Sequence, residues 1–156
     1  VAKVIALGSK VPDFTLKDQD QKTARLSRFK GRKVLLAFRP LAWTPVCRDH
    51  MRSLEDHFKQ LERLNTVALG IGVDSMFSNR AWAEMMEIEH TRLLADFWPH
   101  GAVARLYGVF REPDGFSERA NIVIDEEQKV IFAKIYPISE MPDVDEIIAF
   151  LEKRGK

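Results

Sequence analysis

Two continuous apolar runs, KVLLAF (33–38) and TVALGIGVD (66–74), constrain this chain more than any other feature. Neither alternates with polar residues over its length, so each reads as a strand buried on both faces, the pattern of a parallel sheet. Parallel neighbours need a long crossover. The segment between the runs supplies one: from about Pro45 to Leu64, the apolar residues Met51, Leu54, Phe58, Leu61 and Leu64 recur at helical spacing on one face. Thr44 is a good N-cap residue, and Pro45 suits the first helical position. The unit is β-α-β.

The remaining segments extend it. SNRAWAEMMEIEH (78–90) reads as a helix with Trp82, Met85 and Met86 apolar, Met85 and Met86 packing it on the sheet. RLLAD (92–96) is a short extended piece, HGAVARLYG (100–108) a short helix, and REPDGFSE (111–118) a loop with a Pro-Asp-Gly turn. ANIVID and KVIFAKI flank Glu126 to Gln128 as an antiparallel hairpin. PDVDEIIAFLEKRG (142–155) is a last amphipathic helix, with Pro142 at its start and Gly155 near its end. Ahead of the first run, VPDFTLKD (11–18) alternates as an edge strand does, and LSRFKG (26–31) makes one turn of helix. A strand–helix–strand crossover followed by a hairpin and a helix is the plan of the thioredoxin fold. The expectation is therefore an α/β chain, one domain over 1–156, with a central mixed sheet flanked by helices and an N-terminal β extension. A Rossmann domain is the rival, but its fingerprint is missing. Gly70 and Gly72 give only G-x-G, and they lie inside a strand.

Composition excludes several functions. The chain has 156 residues, 46% of them hydrophobic, enough for a real core. Its net charge is +1 without a long block of one sign, so nucleic acid is not expected as a partner. No apolar run approaches a membrane span. VAKVIALGSK (1–10) is too short an apolar stretch for a secretory signal. A single cysteine, Cys47, makes no internal disulfide, so cytoplasm is the expected compartment. His50, His57, His90 and His100 have no metal-ligand spacing, and His50 and His57 read as a solvated helix face.

Cys47 falls in FRPLAWTPVCRDHM (38–51), in the first turn of the crossover helix. Unpaired amides and the positive end of the helix dipole lie there. Arg39 precedes it and Arg48 adjoins it. Such surroundings favour thiolate, the nucleophilic form, over thiol. The competing reading is an inert packing thiol, since cysteine is among the most buried residue types.

The stretch PLAWTPVC resembles the active-site pattern P-x-x-x-T/S-x-x-C of the peroxiredoxins, carried here by Pro40, Thr44 and Cys47. The likeness extends through SKVPDFTLKDQD, LSRFKGRKVLLAFRP, VALGIGVDS, LLADFWPHGAVARLYGVF and SERANIVIDEEQKVIFA, nearly the whole chain. It is strongest to the short forms, the one-cysteine alkyl hydroperoxide reductase E and bacterioferritin-comigratory-protein types. The resemblance implies a thiol peroxidase in which Cys47 attacks the peroxide and becomes a sulfenic acid. Thr44 would hydrogen-bond the thiolate or the peroxide, Pro40 would shield the sulfur, and Arg119, in SERANIVID, would support the developing charge. The amides of Val46 and Cys47 would contact peroxide, with His50 and Arg39 close to the substrate. No metal, flavin or nucleotide is implied. The partners implied are a peroxide, an external thiol (thioredoxin, glutaredoxin, a mycoredoxin-type protein or a small thiol) and a second copy in a homodimer or larger homo-oligomer, with Trp43 as a contact.

The sequence departs from that pattern in places. Arg52 stands where the comigratory type has its resolving cysteine, and Arg39 replaces the usual Tyr or Phe after the strand. Trp43, Phe97 and Trp98 read as core, interface or pocket aromatics. A second function fits the same cysteine: a redox sensor or holdase-type binding protein switched by Cys47 oxidation.

Overall fold

The structure, a computed structural model, describes residues 3–155. The two apolar runs form β3 (Lys33–Phe38) and β4 (Thr66–Gly72), paired in parallel with Phe38 opposite Ile71. With β5 (Arg92–Ala95), β8 (Arg119–Ile124) and β9 (Val130–Tyr136) they make one sheet in the order β5-β4-β3-β8-β9. β5 runs parallel to β4, whereas β8 is antiparallel to β3 and β9 to β8, so the sheet is mixed. This is the expected thioredoxin-like plan.

Alternate residues of β3 enter opposite cores, which is why the run shows no polar interruption. Val34, Leu36 and Phe38 pack with Phe14, Leu26, Ile122 and Tyr107 on one face. Leu35 and Ala37 pack with Met51, Leu54, Trp82, Ile147 and Leu151 on the other. Helices α1 (Pro45–Asp56), α3 (Met76–Met86) and α5 (Val144–Arg154) cover the second face. At the first, α4 (Ala102–Leu106) contributes Val103 and Ala104. α1 lies close on β4 at Gly70, where a Cβ would stand 2.5 Å from Met51 Sδ.

Several boundaries differ from the sequence reading. The expected helix from Pro45 to Leu64 is two: α1 ends at Asp56, and α2 (Phe58–Arg63) follows His57, whose φ of −104° and ψ of 14° are not helical. The His57 Nδ1 lies 2.8 Å from the Ser53 carbonyl, which also accepts the His57 amide, so local side-chain bonding replaces the next helical turn. α3 starts earlier than expected because Ser75 caps it, its Oγ accepting the Ser78 amide. It stops at Glu87, which is left-handed at φ 56°. Only Met86 of the two methionines packs inward, and Met85 is exposed. The segment read as a loop at 111–118 is a small hairpin of β6 (Phe110–Arg111) and β7 (Phe116–Ser117) around the expected turn. VPDFTLKD is not an edge of the main sheet. It contributes β1 (Thr15–Lys17), which pairs with β2 (Thr23–Arg25) as a separate hairpin. Pro142 precedes α5 rather than opening it, because Asp143 is the N-cap and accepts the Asp145 amide.

Candidate active site

Strand register builds the site. β3 delivers the chain to Arg39 and Pro40 at its C-terminal end, and the turn 41–44 leads into α1. Because β8 runs antiparallel to β3, with Ala120 opposite Phe38, the start of β8 meets the end of β3. Arg119 is thereby placed beside Cys47 across 72 residues of sequence.

Both side chains are buried, Arg119 at 2% exposure and Cys47 at 0%. Arg119 Nη1 donates to Cys47 Sγ at 3.3 Å, while its Nε donates to the Ile138 carbonyl at 2.9 Å. The second bond fixes the guanidinium, so the first is aimed and not merely near. Cys47 lies in the first turn of α1, where the amides of Val46 and Cys47 precede the first intrahelical bond, Arg48 amide to Thr44 carbonyl at 2.9 Å.

Thr44 is the N-cap by backbone conformation, but its hydroxyl does not cap the helix. It donates to the Leu41 carbonyl at 2.9 Å. With its proton engaged there, the oxygen presents lone pairs, so Thr44 is an acceptor suited to an O–H group. Pro40 is buried behind the turn.

Two residues expected near the substrate are buried beneath the site. Arg39 is 0% exposed: Nη2 donates to Asn79 Oδ1 at 2.9 Å, Nη1 lies 3.4 Å from Asp74 Oδ2, and the guanidinium faces the Trp82 ring. Burial pulls its pKa down, opposed by the negative charges of Asp74 and of Cys47 as thiolate. His50, read as part of a solvated face, is buried one turn beyond Cys47. Burial first, then the positive charges of Arg119 and Arg39, push its pKa down to about 3, so the imidazole is neutral at pH 7. His57 does lie nearer the surface, 3.5 Å from Asp145. Trp43, Phe97 and Trp98 are exposed and not core. Trp43 lines a cleft of about 300 Å³ with Thr44, Pro45, Arg48, Trp82 and Met85. Sequence reasoning assigned no role to Asp74, Ser78 or Asn79, of which the first two hold the cysteine turn from the far side and the third holds Arg39; Asp74 lies in the family-like stretch VALGIGVDS.

A solvent-shielded cysteine at a helix mouth, bonded to a buried arginine on a thioredoxin-like sheet, defines a thiol-dependent oxidoreductase. The model of the AhpC/TSA family matches residues 7–133, and the chain belongs to that family, the peroxiredoxins. It is 38% identical over 141 residues to alkyl hydroperoxide reductase E of Mycobacterium tuberculosis, covering 90% of this chain and 92% of that protein. It is 34% identical over 159 residues to a chloroplastic 2-cysteine peroxiredoxin of Chattonella marina, covering 95% of this chain and 80% of the other. The reduced 2-Cys peroxiredoxin of Plasmodium vivax superimposes with a TM-score of 0.86 at 26% identity, covering 96% of both chains. Among the described residues no helix is long and apolar enough to cross a membrane.

Proposed function

We propose that this chain is a one-cysteine thiol peroxidase for hydrogen peroxide and organic hydroperoxides, with Cys47 as the attacking sulfur. The 3.3 Å contact of Arg119 Nη1 with Cys47 Sγ carries the reading, because an inert packing thiol has no need of a buried guanidinium.

The thiolate attacks the terminal oxygen of ROOH. The S–O bond forms as the O–O bond breaks, and the sulfur loses the two electrons that the peroxide gains. RO⁻ leaves and takes a proton to become alcohol, or water when R is hydrogen, while Cys47 becomes a sulfenic acid. Thr44 Oγ accepts the peroxide O–H, the Val46 and Cys47 amides donate to peroxide oxygen, and Arg119 balances the charge growing on the leaving oxygen. Pro40 keeps bulk water from the sulfur. An external thiol then attacks the sulfenic sulfur and releases water. A second thiol resolves the mixed disulfide, returning Cys47 thiolate. The cleft bounded by Thr44, Pro45, Trp82 and Met85 abuts the cysteine turn and is suited to the organic part of a hydroperoxide. His50 and Arg39 support the site from beneath without touching substrate.

The fold is read as one domain. A homodimer belongs to the same proposal: Trp43, Phe77, Phe97 and Trp98 are exposed at 50–82%, more apolar surface than a monomer needs. Sedimentation equilibrium tests it, with a monomer as the refuting result. The peroxidase itself is tested with Cys47→Ser, which is expected to stay folded and consume no peroxide. Sustained turnover of the wild type with thioredoxin, glutaredoxin, mycoredoxin-type proteins or small thiols separates an enzyme from a redox sensor, which reacts once per thiol.

A further inference from the structure

The turn that delivers Cys47 to the helix mouth is strained. Trp43 has φ 71°, a left-handed conformation that a bulky side chain adopts only when its surroundings impose it. Residues following β4 impose it. Asp74 Oδ2 accepts the Ala42 amide at 2.7 Å, and Ser78 Oγ accepts the Trp43 indole N–H at 2.9 Å.

Arg39 is fixed by the same segment. Its guanidinium bonds Asn79 Oδ1 at 2.9 Å and lies 3.4 Å from the Asp74 oxygen that holds Ala42. The Trp82 ring is 5.0 Å away. Room for the group comes from Gly72 on β4, where a Cβ would collide with Arg39 Nη1. This explains a glycine that the sequence offers as half of a nucleotide fingerprint. A fully buried cation is costly unless paired, so Arg39 and Asp74 hold each other in place.

We propose that Arg39 is a positioning residue of the peroxidase reaction: acting through Asp74, it holds the Pro40–Thr44 turn in the geometry that aligns Thr44 and Cys47 on the peroxide. This rests on the peroxidase reading above. Cys47 is faced by Arg119 from β8, by Arg39 from the end of β3 and by neutral His50 along α1. Asp74 balances the Arg39 charge, so removing Arg39 disturbs alignment more than it disturbs the field at sulfur.

The test compares two reactions of Cys47 in folded variants, checked by circular dichroism. Reaction with hydrogen peroxide needs the aligned turn, whereas alkylation by iodoacetamide needs a thiolate and access to it but no aligned turn. Arg39→Met and Asp74→Ala are each expected to slow the peroxide reaction by about tenfold or more, within the range a small misplacement costs. Alkylation is not slowed, and the double variant is no slower than the slower single one, since both act through one contact. Asp74→Asn keeps an oxygen for the Ala42 amide but removes the charge that pairs with Arg39, so it slows the peroxide reaction less than Asp74→Ala does. The Asp74 side chain is 15% exposed, so its two variants carry the test if Arg39→Met does not fold. Unchanged peroxide rates, or peroxide and alkylation rates that fall by one common factor, overturn the proposal. A wild-type protein that alkylates but ignores peroxide overturns the peroxidase reading, and the proposal with it.

Discussion

Arg119→Leu removes the guanidinium donor that the structure aims at the sulfur. The substitution keeps an apolar stem at the start of β8 and deletes two bonds, to Cys47 Sγ at 3.3 Å and to the Ile138 carbonyl at 2.9 Å. With both partners buried, solvent does not replace the lost donor at the sulfur. A hydrogen bond involving a charged group contributes about 1.5–3 kcal/mol. About 1.4 kcal/mol of barrier is tenfold in rate, so the reaction with peroxide should slow by about 10- to 150-fold. The Ile138 bond, also made by the charged guanidinium, adds about 1.5–3 kcal/mol to the cost in stability, which a urea titration measures separately. Arg119→Lys is the informative companion. Its single ammonium lacks the fork needed to hold Ile138 and the sulfur together, so it recovers only part of the rate. Stopped-flow fluorescence under a small excess of hydrogen peroxide gives the second-order constants. A leucine variant that is folded and reacts as fast as wild type refutes the role assigned to Arg119.

Two further outcomes are expected. Equimolar peroxide without thiol should give mainly a monomer heavier by about 16 Da, trapped by dimedone, and excess peroxide should take it to sulfinic acid. A linked dimer needs the two Cα atoms within about 7 Å, which for two sulfurs each at 0% exposure requires both cysteine turns to unwind together; a quantitative dimer on a non-reducing gel contradicts this. Glu55 provides a pH test: burial alone would raise its pKa, but the Glu89, Thr91 and His90 hydrogen bonds outweigh that and hold it at about 2, below the ordinary 4.5. A lowered pKa means stability that is complete above pH 4.5 and lost as pH falls toward 2, so Glu55→Gln should cost about 2 kcal/mol at pH 7 and progressively less in acid. Urea midpoints whose gap from wild type stays constant between pH 7 and pH 3 would contradict it.

How much the sequence disclosed depended on whether a feature was local. KVLLAF and TVALGIGVD were legible because a strand buried on both faces leaves a continuous apolar run. The Thr44-Pro45 start of α1 was legible because capping chemistry is written in adjacent residues. The break at His57 was not, since the apolar spacing continues through Phe58, Leu61 and Leu64 while a side-chain contact to Ser53 ends the helix. His50 is buried beside Arg119 and Asn121, which β8 brings to α1 from far along the sequence, and no local pattern announces that. Arg119 was reached through family likeness alone, and Asp74 and Asn79 not at all, because 35 and 40 residues separate them from Arg39. The direction of the Thr44 hydroxyl likewise follows from the turn at Leu41 and not from residue type.

The β3–β8 pairing also bears on the life of the chain before it is finished. Cys47 leaves the ribosome long before Arg119, and only the docking of β8 beside β3 brings the guanidinium to the sulfur. Until then the residue is a thiol on an open segment, without the guanidinium that the proposed mechanism directs at it. On the proposed mechanism, the growing polypeptide thus carries no primed nucleophile for oxidants to destroy. On the same mechanism, reactivity toward peroxide arrives only once β8 has docked beside β3, so the chemistry reports that the sheet has formed.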